Sequence, residues 1–409
     1  MMHRRRVVIT GIGMRSPLGS TPDEHVRALR EGRSGVVAAP EWDWITDLGP
    51  RVVGRAQAAN PRDYSRALRR TMGRVGLLAV PALDDAIASS GIAREIAAGE
   101  DSWLLVGSTL GALDDIDNML HRLRDKRSVL GAPTSGALRS MAHTAAITCS
   151  MHLEFKGRLV CPSAACATGS LAIGMGYEAI QDGRAEIALA GGADEAHAST
   201  AATFDLLKAA SSHFNEAPET TPRPFDAQRD GIVCAEGAAF VVLEERDAAI
   251  ARGATIWAEV LGFAANSSGT AATTPDGASI ARCLRAALRD AELDASAVQY
   301  VNAHATGTTV GDAAEAAAIG EVFGASILVS STKGHTGHTM AAAGALETIV
   351  CTLMMRDGFV HPTLNLGAIA DDCRTVRHVD GVQELALTHT VSTNFALGGI
   401  QTCIVLGRG

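Results

Sequence analysis

No hydrophobic run in this 409-residue chain is long enough to span a membrane or to form a signal segment. After the basic start His3-Arg4-Arg5-Arg6, the run Val7-Val8-Ile9 gives way almost at once to glycines and to Arg15 and Ser16. Export is not expected, and the setting read from this is cytoplasmic, with no membrane partner. None of the eight cysteines stands in a CxxC pair, which argues against a disulfide framework or a zinc cluster and for a reducing compartment. There is no low-complexity tract and no long Pro/Ser linker. Positive charge is not in excess either: the net charge of -9 argues against non-specific binding of nucleic acid as the main task.

What is present is the material of a large core, with 47% hydrophobic and 20% charged residues. Short β-branched runs alternate with Ala-rich helical stretches, an α/β pattern. Strands are expected at Arg6 to Thr10, Trp103 to Val106, Ile187 to Ala190, Ala238 to Leu243, Ile256 to Leu261, Tyr300 to Asn302, Ile327 to Ser330 and Thr402 to Leu406. Ala190-Gly191-Gly192 and Leu397-Gly398-Gly399 read as places where the backbone turns sharply or closely approaches a ligand. No repeat of residues is visible along the chain.

Leu159-Val160-Cys161-Pro162-Ser163-Ala164-Ala165-Cys166 followed by Ala167-Thr168-Gly169-Ser170 reads as a short strand, a turn of small residues and an Ala/Gly helix. Cys166 falls at the turn. A thiol at a helix N-terminus meets the positive end of the dipole and unpaired N–H groups, which lower its pKa and favour the nucleophilic thiolate. The small neighbours leave a substrate room to reach the sulfur. For an isolated cysteine a buried, inert role is commoner.

Four blocks in order change that weighting. They are Ser163 to Gly174 with Ile187 to Glu195; Asn302-Ala303-His304-Ala305-Thr306-Gly307-Thr308 with Asp312 and Glu315; Lys333-Gly334-His335-Thr336-Gly337-His338 with Gly344 and Glu347; and Ser392-Thr393-Asn394-Phe395 with Leu397-Gly398-Gly399. Together with Val7 to Gly13 and Arg223 to Gly231, they closely resemble the β-ketoacyl-(acyl carrier protein) synthases of the elongating, Cys-His-His type, over nearly the whole chain. The resemblance implies a thiolase-like α/β/α/β/α sandwich of two similar halves, residues 1–250 with the nucleophile and 251–409 with the histidines, and an active site between them.

It implies roles as well. Cys166 holds an acyl thioester. His304 and His338 donate hydrogen bonds to the malonyl thioester oxygen as it becomes an enolate, a task neutral imidazoles perform in a low-dielectric site. Lys333, buried and paired with Glu315, tunes and organises them, and Glu347 supports the same network. The backbone N–H groups of Cys166 and Leu397 form the oxyanion hole. Thr306 and Thr308 bond the amides of a phosphopantetheine arm. No organic cofactor or metal is required; the substrates arrive on the carrier's arm.

Arg66, Arg69, Arg70 and Arg74 follow helical spacing and would form one cationic face; Arg124, Lys126 and Arg127 form a second concentration. A solvated face is the ordinary meaning of such runs. In an acidic protein whose substrate comes on an acidic carrier, docking of acyl carrier protein becomes the better reading.

Three departures stand out. Leu397 replaces the phenylalanine that gates the acyl and malonyl pockets beside Phe395, His335 replaces a methionine, and Ala305 replaces a glycine. They spare the catalytic residues but reshape the pocket, and are similar to ketosynthases of type II polyene or aryl-polyene systems. Leu110 falls where the family limits pocket depth, against a wall shared with a dimer partner. A thiolase would need a second C-terminal cysteine in a Cys-x-Gly setting, which Cys403 lacks, and a starter-type synthase would need Cys-His-Asn. The competing reading from another class is a non-catalytic chain-length-factor-like subunit, from which Cys166 is the discriminating residue. A dimer is expected, homomeric or with such a partner.

Overall fold

The computed structural model describes residues 4–130, 134–270 and 273–409. Its centre is an 11-stranded sheet. The strands are β1 (Val7–Arg15), β2 (Ser102–Gly107), β3 (Arg158–Val160), β4 (Ile187–Asp194), β5 (Gly237–Glu245), β6 (Ala258–Ser267), β7 (Tyr300–Asn302), β8 (Leu328–Ser330), β9 (Arg377–His378), β10 (His389–Phe395) and β11 (Ile400–Gly407). Their spatial order is β9-β8-β7-β10-β11-β6-β1-β5-β4-β2-β3.

Read outward from the seam, the first half runs β1-β5-β4-β2-β3 and the second β6-β11-β10-β7-β8, so both place their successive strands in the same order. The parallel and antiparallel pairings correspond as well. The architecture is duplicated although no residue repeat announces it. The halves join through a short antiparallel contact of Val7, Val8 and Ile9 with Val260, Glu259 and Ala258.

Alternation along the strands sorts the core into layers. In the first half Leu105, Ala188, Ala190, Val241 and Leu243 face inward, and Leu104, Val106, Leu189, Phe240 and Val242 face an outer helix, α1 (Arg74–Ser90). In the second half Tyr300, Leu328, Ile404 and Leu406 face inward, and Val301, Val329, Val391, Cys403 and Val405 pack on α4 (Gly277–Asp290) and α5 (Thr309–Phe323). Between the half-sheets lie α3 (Thr168–Gln181) and α6 (Ala343–Asp357), giving five layers; α2 (Leu113–Asp125) stands on the surface. Every residue of α6 from Ala343 to Met355 is buried, as a helix enclosed on all sides requires.

The inner helices meet at backbone contact. A Cβ on Gly169 would stand 2.8 Å from the Ala341 oxygen, and one on Gly344 would stand 2.6 Å from the Ser170 nitrogen. The pair at Gly191 and Gly192 differs from expectation: the strand runs straight through to Asp194 with no turn. These glycines are needed for close packing of protein on protein, since Cβ atoms there would lie 2.0 Å from the Ala239 oxygen and 2.2 Å from the Ala341 oxygen. Gly398 and Gly399, with φ of 93° and 78°, do form a turn, between β10 and β11.

Candidate active site

Three chain segments deliver the site. The first is the Cys166 segment, in which Ala165 takes φ 45° and Cys166 sits in a single tight turn, Ala165–Ala167, that opens directly into α3. The second follows β7 and carries His304. The third follows β8, where the short helix Lys333–Thr336 leads to His338. Backbone bonds from the His338 nitrogen to the Val233 oxygen (2.8 Å) and from the Ala235 nitrogen to the His338 oxygen (2.9 Å) tie that last segment to the first half.

Ligating atoms of Cys166, His304 and His338 lie within 4.8 Å of one another, and the two imidazoles stand edge to face with centroids 5.2 Å apart. Burial, together with the charge of Lys333, pushes both histidines well below their ordinary pKa, so they are neutral at pH 7. His304 Nδ1 and both ring nitrogens of His338 are buried without a protein hydrogen-bond partner. The trio has the spacing of a divalent-cation site too, but Lys333 beside it opposes a cation.

The Cys166 thiol departs from expectation. Burial pushes it up to about 11, against the opposing pull of Lys333 and of the backbone N–H groups of Leu397 and Cys166. The helix terminus alone does not win, because Cys166 is only 6% exposed. Both of those N–H groups act on the sulfur as hydrogen-bond donors.

The lysine network is also rearranged. Lys333 forms its ion pair with Glu347, and both are almost fully buried. Glu347 accepts a second bond from Asn394 Nδ2 at 2.6 Å. Glu315, expected as the lysine's partner, instead accepts from the backbone nitrogens of His304 (2.8 Å) and Ala305 (2.7 Å) and from Thr393 Oγ1 (2.8 Å). It fixes the histidine's loop, and burial holds its carboxyl up at about 7. Asp312, one turn earlier on α5, takes the Thr306, Gly307 and Phe225 nitrogens. Asp312, Thr393 and Asn394 stand inside the quoted sequence blocks, yet only the fold shows what they hold.

A cavity of about 380 Å³ reaches from Cys166, His304 and His338 past Phe395 and Leu397 to Thr306 and Thr308. The two threonine hydroxyls lie 3.3 Å apart. Leu110 does not line this cavity; it is 47% exposed on the single chain.

Arg66, Arg69 and Arg70 are exposed, as are Arg124, Lys126 and Arg127 at the end of α2. Arg74 leaves the expected face. The helix of Arg66 to Arg69 has only four residues, a break follows, and Arg74 opens α1 with its guanidinium turned inward, Nε 2.7 Å from the buried Glu236.

The sequence from residue 4 to 249 matches the family model of the β-ketoacyl synthase N-terminal domain, and 257–367 that of its C-terminal domain. The chain belongs to the β-ketoacyl synthase family. It is 33% identical over 406 residues to 3-oxoacyl-[acyl-carrier-protein] synthase 1 of Haemophilus influenzae, covering 99% of each chain. A β-ketoacyl synthase from Burkholderia phymatum STM815 superposes with a TM-score of 0.95 at 41% identity, over 99% of this chain and 100% of the other. The ishigamide ketosynthase/chain length factor does so with 0.92 at 31% identity, over 99% and 100%. The five layers are therefore those of thiolase-fold ketosynthases, and the chain is an acyltransferase of that class. Among the described residues no helix is long and apolar enough to cross a membrane.

Proposed function

We propose that this ketosynthase loads an acyl group from acyl carrier protein onto Cys166 and extends it by two carbons with malonyl-acyl carrier protein. The observation that carries this reading is the convergence of one thiol and two neutral histidines on a single cavity.

In the first step the sulfur attacks the incoming thioester, and its proton leaves with the carrier's thiol. The N–H groups of Cys166 and Leu397 take the charge of the tetrahedral oxygen. In the second, the malonyl C–carboxylate bond breaks, releasing carbon dioxide, and its electron pair becomes an enolate stabilised by hydrogen bonds from His304 and His338. The enolate carbon then bonds to the acyl carbon on Cys166. The departing thiolate takes up one proton, which its high affinity for a proton in the empty site favours. No step calls for an organic cofactor or a metal.

Thr306 and Thr308 are assigned to the pantetheine amides, and the exposed Arg66, Arg69, Arg70, Arg124, Lys126 and Arg127 to carrier docking. Exposed Leu110, Leu138, Met141 and Leu159, with the open edge of β3, leave an apolar surface suited to a second subunit. That subunit is a second copy or a chain-length-factor-like chain, of the kind the ishigamide structure names. We assign the enzyme to the cytoplasm and, on Leu397, His335 and Ala305, to a polyene-type specialised pathway. Retention of the nucleophile speaks against a non-catalytic scaffold.

Incubation with acyl-loaded carrier protein should add the mass of the acyl group to the peptide containing Cys166. An unmodified Cys166 in folded protein would overturn the reading. Mass measurement of the native assembly distinguishes the two kinds of dimer.

A further inference from the structure

Asp194 closes β4 at the point where three parts of the site meet, and its carboxylate is fully buried. It accepts four hydrogen bonds. Ser108 Oγ (2.6 Å) and the Thr109 nitrogen (2.9 Å) reach Oδ1, while Thr109 Oγ1 (2.5 Å) and the Ala341 nitrogen (2.8 Å) reach Oδ2. One oxygen thus holds mainly the turn after β2, and the other couples that turn to the segment entering α6.

Both segments press on the nucleophile turn. A Cβ on Gly107, beside Ser108, would lie 2.5 Å from the Pro162 oxygen and 2.0 Å from the Thr168 side chain. Thr168 Oγ1 in turn accepts from the Ala164 nitrogen at 2.8 Å, closing the loop around Cys166. On the other side the Ala341 oxygen limits Gly169 to 2.8 Å. The turn that carries Cys166 therefore lies between two walls that a single carboxylate clamps together.

We propose that Asp194 is a positioning residue for acyl transfer, fixing the Cys166 turn by clamping the Ser108–Thr109 turn to the Ala341 segment. Its negative charge also acts on Cys166 and raises the thiol, behind burial in size. The clamp has an electrostatic signature that simple loosening of the fold lacks. The inference rests on Cys166 being the acylated residue.

The test compares wild type with Asp194→Asn and Asp194→Glu in the full-length enzyme. Acylation of Cys166 is timed by mass spectrometry in a single turnover with acyl-loaded carrier, and the pH profile of Cys166 alkylation by iodoacetamide is recorded. Asp194→Asn should slow acylation about tenfold or more, because an amide cannot accept all four donors and a misplacement of about 1 Å is costly. Its alkylation midpoint should move to lower pH, because a negative charge has gone. Asp194→Glu should return the midpoint toward wild type without restoring the rate.

Acylation of Asp194→Asn at the wild-type rate would overturn the proposal, and so would slow acylation with an unmoved midpoint. If Asp194→Asn does not fold, Ser108→Ala with Thr109→Ala removes two of the four donors. Slowed acylation then supports the clamp, and a wild-type rate overturns it. Failure of the wild-type enzyme to acylate Cys166 would count against the functional reading instead, so the two failures are distinguishable.

Discussion

Lys333 pairs with Glu347 from the inner helix α6, while Glu315 spends its carboxylate on the backbone of His304 and Ala305. The two glutamates therefore fail differently. Glu347→Ala leaves an ammonium buried without its partner and should destabilise the fold by about 3–5 kcal/mol. Glu315→Ala loosens the His304 loop and should act chiefly on malonyl use. Thermal melts and malonyl decarboxylation assays of both variants separate these outcomes.

Lys333→Ala should shift the acidic limb of the pH–rate profile upward. In the native site burial, reinforced by the lysine's charge, keeps His304 and His338 well below their ordinary pKa. Removing that charge raises both, so they become protonated at a higher pH as the solution is acidified. An unmoved limb in a folded variant would show that the lysine does not tune them.

Cys166→Ala should abolish condensation while malonyl decarboxylation persists, since the histidines stay in place. His338→Ala should impair malonyl use and still permit acylation of Cys166. The assignment of His338 would be wrong if its loss blocked acylation and left decarboxylation intact.

Charge reversal at Arg66, Arg69 and Arg70 should raise KM for carrier-bound substrate and spare small thioester mimics. Arg74→Glu should instead lower the melting temperature, because it places a like charge against the buried Glu236. Equal kinetic losses with both substrate forms would discard the docking role.

Leu110→Trp should leave the melting temperature of the isolated chain nearly unchanged, since the side chain is exposed there, and should shorten the longest acyl group the enzyme accepts. Overpacking a confined channel costs about 1–3 kcal/mol, enough to alter selectivity by about tenfold or more. Leu397→Phe should mainly change the rate of acyl loading. Chain-length profiles and single-turnover loading rates test the pair.

Much of the site was legible because Cys166, His304, Lys333 and His338 each lie in a short block, and the four blocks in order resemble those of β-ketoacyl synthases. The hydrophobic strands were legible for a simpler reason, their β-branched runs. β10 was harder to see, since Ser392, Thr393 and Asn394 interrupt its apolar pattern, Thr393 bonding Glu315 and Asn394 bonding Glu347. Partner choice was the least accessible. Which glutamate meets Lys333, and where Arg74 points, depend on how α1, α5 and α6 pack, and residue spacing within one segment carries no record of its neighbours. The thiol's pKa shows the same limit: sequence displays the helix terminus but not the burial that outweighs it.

The contacts at Gly169, Gly192 and Gly344 leave no slack between the inner helices and the strands around them. The distance between the two halves is thereby set by main chain, which side-chain substitution cannot adjust. Diversification of this scaffold toward other acyl chains must therefore come from its periphery, the turn after β2 and the mouth near Leu397. The interior seam that holds the reacting atoms can stay constant while lineages change what they build.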